Sequence, residues 1–365
     1  MARALRRQGH EVAFATAAEA APWVEPEGFE VMSLGPGSHE LTAEVARRFG
    51  VDILFSSDRD LTAELFAGAR VDLMADEALG RADHWTPDLI ICEDHDFVGP
   101  LVGSALDVPC AVALTGPAPE PDVLDALAET VRPRYVDRGL QPPSRVPAGH
   151  LLLDLCPSSL QREGWQSPPG RIPLRPESAL DPDGGPPEHR RVGAGRPRVL
   201  VGFGAEAGAS MELGPVIRSL STLHVDLVVV AGDGRAEDLG RDPGRVRLCT
   251  GFPVADDWEA VHAVVHHGGP EITLAAAARG IPAVVIPESP EQRERAERLV
   301  MAGAGIAFPA RTAEPTVITS GIDLLLSDPR FTVAASRIRE DIVVMPTAAQ
   351  VAERLAAWVR AERAR

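Results

Sequence analysis

The chain has 365 residues, 45% of them hydrophobic, and a formal net charge of -17. That length exceeds what one hydrophobic core usually organises, so two domains are expected; the acidic balance argues against nucleic acid or an anionic membrane as partner, because both demand a basic face. No apolar run is long enough to span a bilayer, and no signal-peptide pattern opens the chain.

Taken in order, Met1 to Gly9 reads as a helix stopped by Gly9, followed by strands at His10–Thr16 and near Glu30. Residues 41–84 carry the mixed apolar and charged spacing of helices and loops. Apolar strands start at Asp88 and Val108, a helix spans Pro121 to Arg132, and His150 opens another strand. Residues 167–196 are rich in Pro and Gly, the one sharp composition break, and read as a linker. Beyond it, strands begin at Pro197, Val225 and Val246. Helices are expected near 211–222, 254–260, 291–302, 315–327, 330–341 and 348–363. Uninterrupted apolar strands alternating with helices predict parallel sheets covered on both faces, in doubly wound α/β domains. Cys92, Cys110, Cys156 and Cys249 form no Cys-x-x-Cys pair, so buried free thiols in a reducing cytoplasm are expected.

The most informative stretch is V-V-H-H-G-G-P-E-I-T-L-A-A-A-A-R-G-I-P-A-V-V-I-P, from Val264 to Pro287. It reads as strand, glycine turn, helix and strand. Gly268 and Gly269 let backbone approach a ligand closely, and the N-terminus of the following helix suits a phosphate. His266 and His267 end the strand at the same mouth. Further on, P-E-S-P-E-Q-R-E-R-A-E-R offers a carboxylate and an amide, Glu291 and Gln292, a pairing matched to sugar hydroxyls. A second glycine turn follows the strand at Pro197, with Gly204 and Ala205, and Phe252 stands ahead of Pro253, where it either stacks on a base or packs in the core. In the first half, C-E-D-H-D-F-V-G-P brings Glu93, Asp94, His95 and Asp96 to a strand end, where a carboxylate can act as a base or simply cap a helix.

His266, His267, Gly268, Gly269, Thr273, Leu274, Gly280 and Pro282 stand in register with the signature H-H-G-G-(A/S)-G-T-T-L, helix, G-(V/I)-P, strand. The chain therefore resembles the bacterial natural-product glycosyltransferases of the family 1 (UDP-glucuronosyl/glucosyltransferase-like) type. The resemblance implies an α/β, GT-B fold: two Rossmann-like doubly wound domains facing across a cleft. Residues 1–166 would form the acceptor-binding domain, 167–196 the linker, 197–347 the nucleotide-sugar domain and 348–365 a terminal helix. It implies inverting transfer of a (deoxy)sugar from a nucleoside diphosphate, TDP by analogy, to a hydrophobic acceptor such as a polyketide aglycone. Neither cofactor nor metal is implied. Donor contacts would come from His266, Gly268, Gly269, Glu271, Ile272, Thr273, Gly204, Ala205, Phe252, Glu291 and Gln292. The absence of lysine beside abundant Ala, Gly and Pro suggests a GC-rich, actinobacterial genome.

Two departures from that pattern stand out. Pro270, Glu271 and Ile272 replace the usual small and hydroxyl residues of the anion cradle. The family's first strand and its base-bearing histidine loop precede the opening helix, whereas Met1 falls inside that helix here. Either a segment precedes Met1, or the chain is a variant in which Glu93 or Asp96 serves as base. The alternative function is a catalytically impaired relative acting as auxiliary partner of an active glycosyltransferase; a homodimer is also compatible.

Overall fold

The computed structural model describes residues 1–50, 58–177, 195–203, 213–231, 244–250 and 255–364. The chain divides into two compact units. One comprises Met1–Leu155, Gln166–Leu174 and Pro346–Arg365; the other comprises Cys156–Trp165 and Arg175–Met345.

The first unit runs α1 (Ala2–Arg7), β1 (Ala13–Thr16), α2 (Ala21–Val24), β2 (Glu30–Ser33), α3 (Ser38–Phe49), α4 (Arg59–Ala63) and α5 (Arg70–Trp85). A π-helical stretch, Glu64–Ala69, joins α4 to α5. Then follow β3 (Ile90–Glu93), α6 (Val98–Leu106), β4 (Cys110–Leu114), α7 (Pro121–Val136), β5 (Leu151–Asp154) and β6 (Arg171–Pro173). The strands β3-β4-β5-β6 form a four-stranded parallel sheet, and β1 pairs with β2 in a separate parallel pair. β6 lies inside the segment expected as linker. It is held to β5 by backbone pairing and by an ion pair of 2.6 Å between Arg171 and the fully buried Asp154.

The second unit contains β7 (Arg198–Gly202), α8 (Leu213–Leu220), β8 (Asp226–Ala231), β9 (Val246–Thr250), β10 (Val261–His266), α9 (Pro270–Arg279), β11 (Ala283–Val285), α10 (Pro290–Met301), β12 (Gly305–Ala307), α11 (Pro315–Ser327) and α12 (Pro329–Val343). The helix expected at 254–260 is a single 3-10 turn, Ala255–Trp258. The sheet order is β12-β11-β10-β7-β8-β9, parallel throughout. Numbered from β7, the order is 3-2-1-4-5-6, the dinucleotide-fold arrangement whose direction reverses between β7 and β10. Val199, Val201, Ala263 and Val265 pack into one core layer, while Leu200, Val264 and Val285 pack into the other. This is the two-faced burial that uninterrupted apolar strands foretell.

The terminal helix α13 (Ala348–Arg363) belongs to the first unit, where Val351, Ala352 and Leu355 join Ala4 of α1, Ala111 of β4 and Leu153 of β5 in one apolar cluster. All four cysteines are buried and free. Among the described residues, no helix is long and apolar enough to cross a membrane.

Candidate functional site

In the second unit, the glycine turn stands at the point where strand order reverses, beyond the carboxyl ends of β7 and β10, where open α/β sheets bind their ligands. Gly202 closes β7 opposite His266 of β10. A Cβ on Gly202 would stand 2.8 Å from Cδ1 of Ile272, so the first turn of α9 packs directly on the strand end. Gly268 has φ +93, and a Cβ there would meet the Gln292 carbonyl oxygen at 3.0 Å. Both contacts require glycine, one for space and the other for space and conformation together.

The two histidines separate by strand alternation, which sends successive side chains to opposite sides. His266, expected to meet a diphosphate, is fully buried, and its Nδ1 accepts the Gly268 N–H at 3.0 Å. Its Nε2 is buried with no hydrogen-bond partner among the described residues. Burial, reinforced by His267 and Arg295, lowers its pKa to about 3, so the ring is neutral and structural. His267 is only partly buried and its ring lies over the turn: Nε2 is 2.5 Å from where a Cβ on Gly269 would be. Burial lowers His267 as well, with a backbone hydrogen bond at Gly202 acting in the opposite direction.

Gly269 is the N-cap of α9 and Pro270 occupies its first turn. Thr273, expected at the ligand, is 2% exposed and donates its hydroxyl to the Gly269 carbonyl at 2.6 Å. Ile272, also expected there, is 5% exposed and belongs to the core. The reason for both placements is common: α9 is buried from Ile272 to Arg279, so side chains in its first turn point inward while the backbone faces the turn. The carboxyl of Glu271 reaches solvent, and partial desolvation raises its pKa.

Helix α10 closes the turn from the other side. Ser289 and Gln292 form a capping box, with Gln292 Oε1 accepting the amides of Glu288 at 2.8 Å and Ser289 at 3.2 Å. Glu291 accepts the Ser289 hydroxyl at 2.8 Å. Arg295 donates from Nε to the Gly268 carbonyl at 2.7 Å. Arg295 was not singled out from the sequence, although its spacing of three from Gln292 places both on one helix face. Gly204, Ala205 and Phe252 lie outside the described residues.

In the first unit, the acidic turn follows β3 at the carboxyl end of its sheet. Asp96 accepts the amides of Val98 at 2.8 Å and Gly99 at 3.2 Å, capping the start of α6; burial nonetheless raises its pKa against those bonds. Glu93 is exposed, with Arg70 at 3.8 Å, and desolvation outweighs Arg70 in raising it. Asp94 is held by the Thr115 amide at 3.2 Å and hydroxyl at 3.5 Å, and pairs with His95 Nδ1 at 3.2 Å. Burial pushes Asp94 upward, but His95 and the Thr115 amide outweigh it and keep the carboxyl below its ordinary value. The structure thus gathers all four residues at one mouth and gives them different tasks.

Comparison with known proteins bears on both units. Residues 3–167 match the family described as erythromycin biosynthesis protein CIII-like, N-terminal domain, and residues 215–358 match its C-terminal domain. The L-demethylnoviosyl transferase of Streptomyces niveus is 31% identical over 363 residues, covering 98% of this chain and 93% of that protein. The TDP-daunosamine transferase DnrS of Streptomyces peucetius is 25% identical, covering 95% and 90% respectively. Among solved structures, the glycosyltransferase SnogD from Streptomyces nogalater is 30% identical with a TM-score of 0.74, covering 98% of this chain and 94% of that one. Streptomyces SsfS6 complexed with thymidine diphosphate shares the fold with a TM-score of 0.79 at 24% identity, covering 98% and 94%.

Proposed function

The chain belongs to the family of bacterial natural-product glycosyltransferases with erythromycin CIII-like domains and the GT-B fold, and from that premise we propose that it moves a deoxysugar from a TDP donor to a hydrophobic, polyketide-type aglycone with inversion at the anomeric carbon. The observation that carries the donor half is the turn His267-Gly268-Gly269 at the switch point between β7 and β10, with the N-terminus of α9 aimed into it. Amides at a helix start favour a diphosphate, and the His267 ring lies over the same turn, where a bound diphosphate would compete with the Gly202 backbone for its N–H. Two relatives, a TDP-daunosamine transferase and a glycosyltransferase complexed with thymidine diphosphate, support TDP as the nucleotide.

In this reading, Glu291 and Gln292 meet the sugar. The Gln292 oxygen is engaged at the start of α10, so a hydroxyl would meet its Nε2 end, while Glu291 accepts from a neighbouring hydroxyl. Transfer requires the acceptor hydroxyl to lose its proton as its oxygen attacks the anomeric carbon. The bond to the diphosphate breaks, and its electron pair leaves on the phosphate oxygen. The carboxylate-rich turn after β3 supports the first unit as the source of the base.

Calorimetry with TDP tests the donor half. Micromolar binding by the full chain, weakened about tenfold in His267→Ala, is the expected result, a tenfold loss being the size of one net hydrogen bond. A folded protein that does not bind TDP would refute the reading. That outcome would favour the auxiliary role, for which Pro270, lacking an N–H, and the Glu271 carboxyl at the cradle are the supporting observations.

A further inference from the structure

We infer that Arg70 is a specificity-determining residue of the transfer. With the Phe66 ring beside it, its guanidinium selects an acceptor whose planar conjugated ring carries a carbonyl or ionised phenol oxygen. The inference rests on the glycosyltransferase reading above and narrows the acceptor from a hydrophobic molecule to a defined ring chemistry.

The residues meet at the carboxyl end of the first unit's sheet, where open α/β sheets receive ligands. Phe66 sits in the π-helical stretch Glu64–Ala69, and Arg70 is the first residue of α5. Such stretches are rare and recur at functional sites. This one is pinned at its start, because Glu64 pairs with Arg48 of α3 at 2.7 Å. Gly68 makes room within it, since a Cβ there would collide with the Glu64 carboxylate. The Arg70 guanidinium carbon lies 5.1 Å from the Phe66 centroid. The His95 ring leans on Phe66 with centroids 4.8 Å apart and planes at 52°.

Arg70 differs from the other half-buried arginines of this unit. Arg48 and Arg134, with side chains 24% and 18% exposed, meet carboxylates at 2.7 and 2.8 Å. Arg70 is equally covered at 24%, yet its ion-pair partner Glu93 stands at 3.8 Å, beyond hydrogen-bond reach. Among the described residues its guanidinium donates no hydrogen bond. It is held by an aromatic face and a distant charge, which leaves a rigid fork of N–H donors for an oxygen from outside.

Ring and fork together fit a flat conjugated group with an oxygen on its edge. The plane packs on aromatic carbon while the oxygen takes the fork. A phenolate is a stronger partner for a guanidinium than a neutral hydroxyl, because its charge shortens and strengthens the hydrogen bond. Glu93 is 61% exposed, so it loses little in swinging aside to admit that oxygen.

The test uses the full chain as wild type, Arg70→Met, Arg70→Lys and Phe66→Leu. Two flat probes of the same outline are titrated by calorimetry: a hydroxyanthraquinone, which carries ring carbonyls, and the hydroxyanthracene that lacks them. TDP affinity and circular dichroism are recorded on every variant. The wild type is expected to bind the quinone about tenfold tighter or more, the size of one charge-assisted hydrogen bond. Arg70→Met keeps a long apolar stem and is expected to bring the two probes within about threefold, with TDP affinity unchanged. Arg70→Lys keeps the charge but not the fork and is expected to retain part of the preference. Phe66→Leu is expected to weaken both probes alike, since it removes the aromatic face and leaves the donors. A wild type that binds both probes equally, or neither, would overturn the inference. So would a quinone preference that survives intact in Arg70→Met. If TDP fails to bind while the quinone preference holds and depends on Arg70, the donor reading falls and the assignment of Arg70 stands.

Discussion

Arg295 and Gly268 are joined by a 2.7 Å hydrogen bond from the guanidinium Nε to the glycine carbonyl, tying α10 to the turn between β10 and α9. The bond gives the glycine carbonyl a fixed direction and keeps the amides that follow it turned toward the mouth of the sheet. Arg295→Ala is expected to weaken TDP binding by about 10- to 100-fold while the fold persists, the loss of a charge-assisted bond being worth roughly 1.5–3 kcal/mol. Calorimetry beside circular dichroism checks both halves; equal affinity would detach this bond from donor binding.

Gly268 cannot gain a side chain without cost. Its φ of +93 is unfavourable for any other residue, and a Cβ would press on the Gln292 carbonyl at 3.0 Å. Gly268→Ala is expected to lose about 1–3 kcal/mol of stability from backbone strain alone. Urea unfolding measures it, and an unchanged midpoint would contradict the contact.

Gly202 and Ile272 should behave as a coupled pair. Gly202→Ala drives a methyl to within 2.8 Å of Ile272 Cδ1 and is expected to cost about 1–3 kcal/mol by overpacking. Ile272→Val removes that Cδ1, so the double variant should recover part of the loss. A double-mutant cycle in urea reads the coupling, and strict additivity would show that the two side chains do not meet.

His266 makes stability depend on acidity. Its folded pKa of about 3 lies below the ordinary value of 6.5, so the unfolded chain binds the proton more readily. This contribution is complete above pH 6.5 and is lost as pH falls toward about 3. His266→Gln should reduce the fall in unfolding free energy across that window by up to about 1.4 kcal/mol per pH unit. Urea unfolding midpoints at several pH values check it; identical slopes would exclude His266 as the titrating group.

Much of this was legible from residues alone because parallel strands buried on both faces are written as unbroken apolar runs. Val199–Val201 and Leu227–Val229 are of that kind, and their positions were readable without a structure. β6 was not, since Arg171–Pro173 is three residues long and framed by Pro and Gly; an ion pair with buried Asp154, distant in sequence, holds it in the sheet. At the site, the motif register placed the backbone of the turn correctly but could not say which way each side chain faces. His266 and His267 exchange roles because alternation buries one of them, and Ile272 and Thr273 turn into the core because α9 is covered on nearly every side. The grip of Thr115 on Asp94 carries no local signal at all, since it depends on two strand ends meeting.

The placement of α13 sets a condition on synthesis. Val351, Ala352 and Leu355 fill the same apolar cluster as Ala4 of the opening helix, so the first unit lacks part of its interior until the end of the chain is made. The second unit, bounded by Met345, is complete in sequence before then. Domains commonly mature in the order in which the ribosome delivers them. Here the unit begun first is finished last, and a ribosome stalled before α13 would hold a mature second unit beside an open-cored first one.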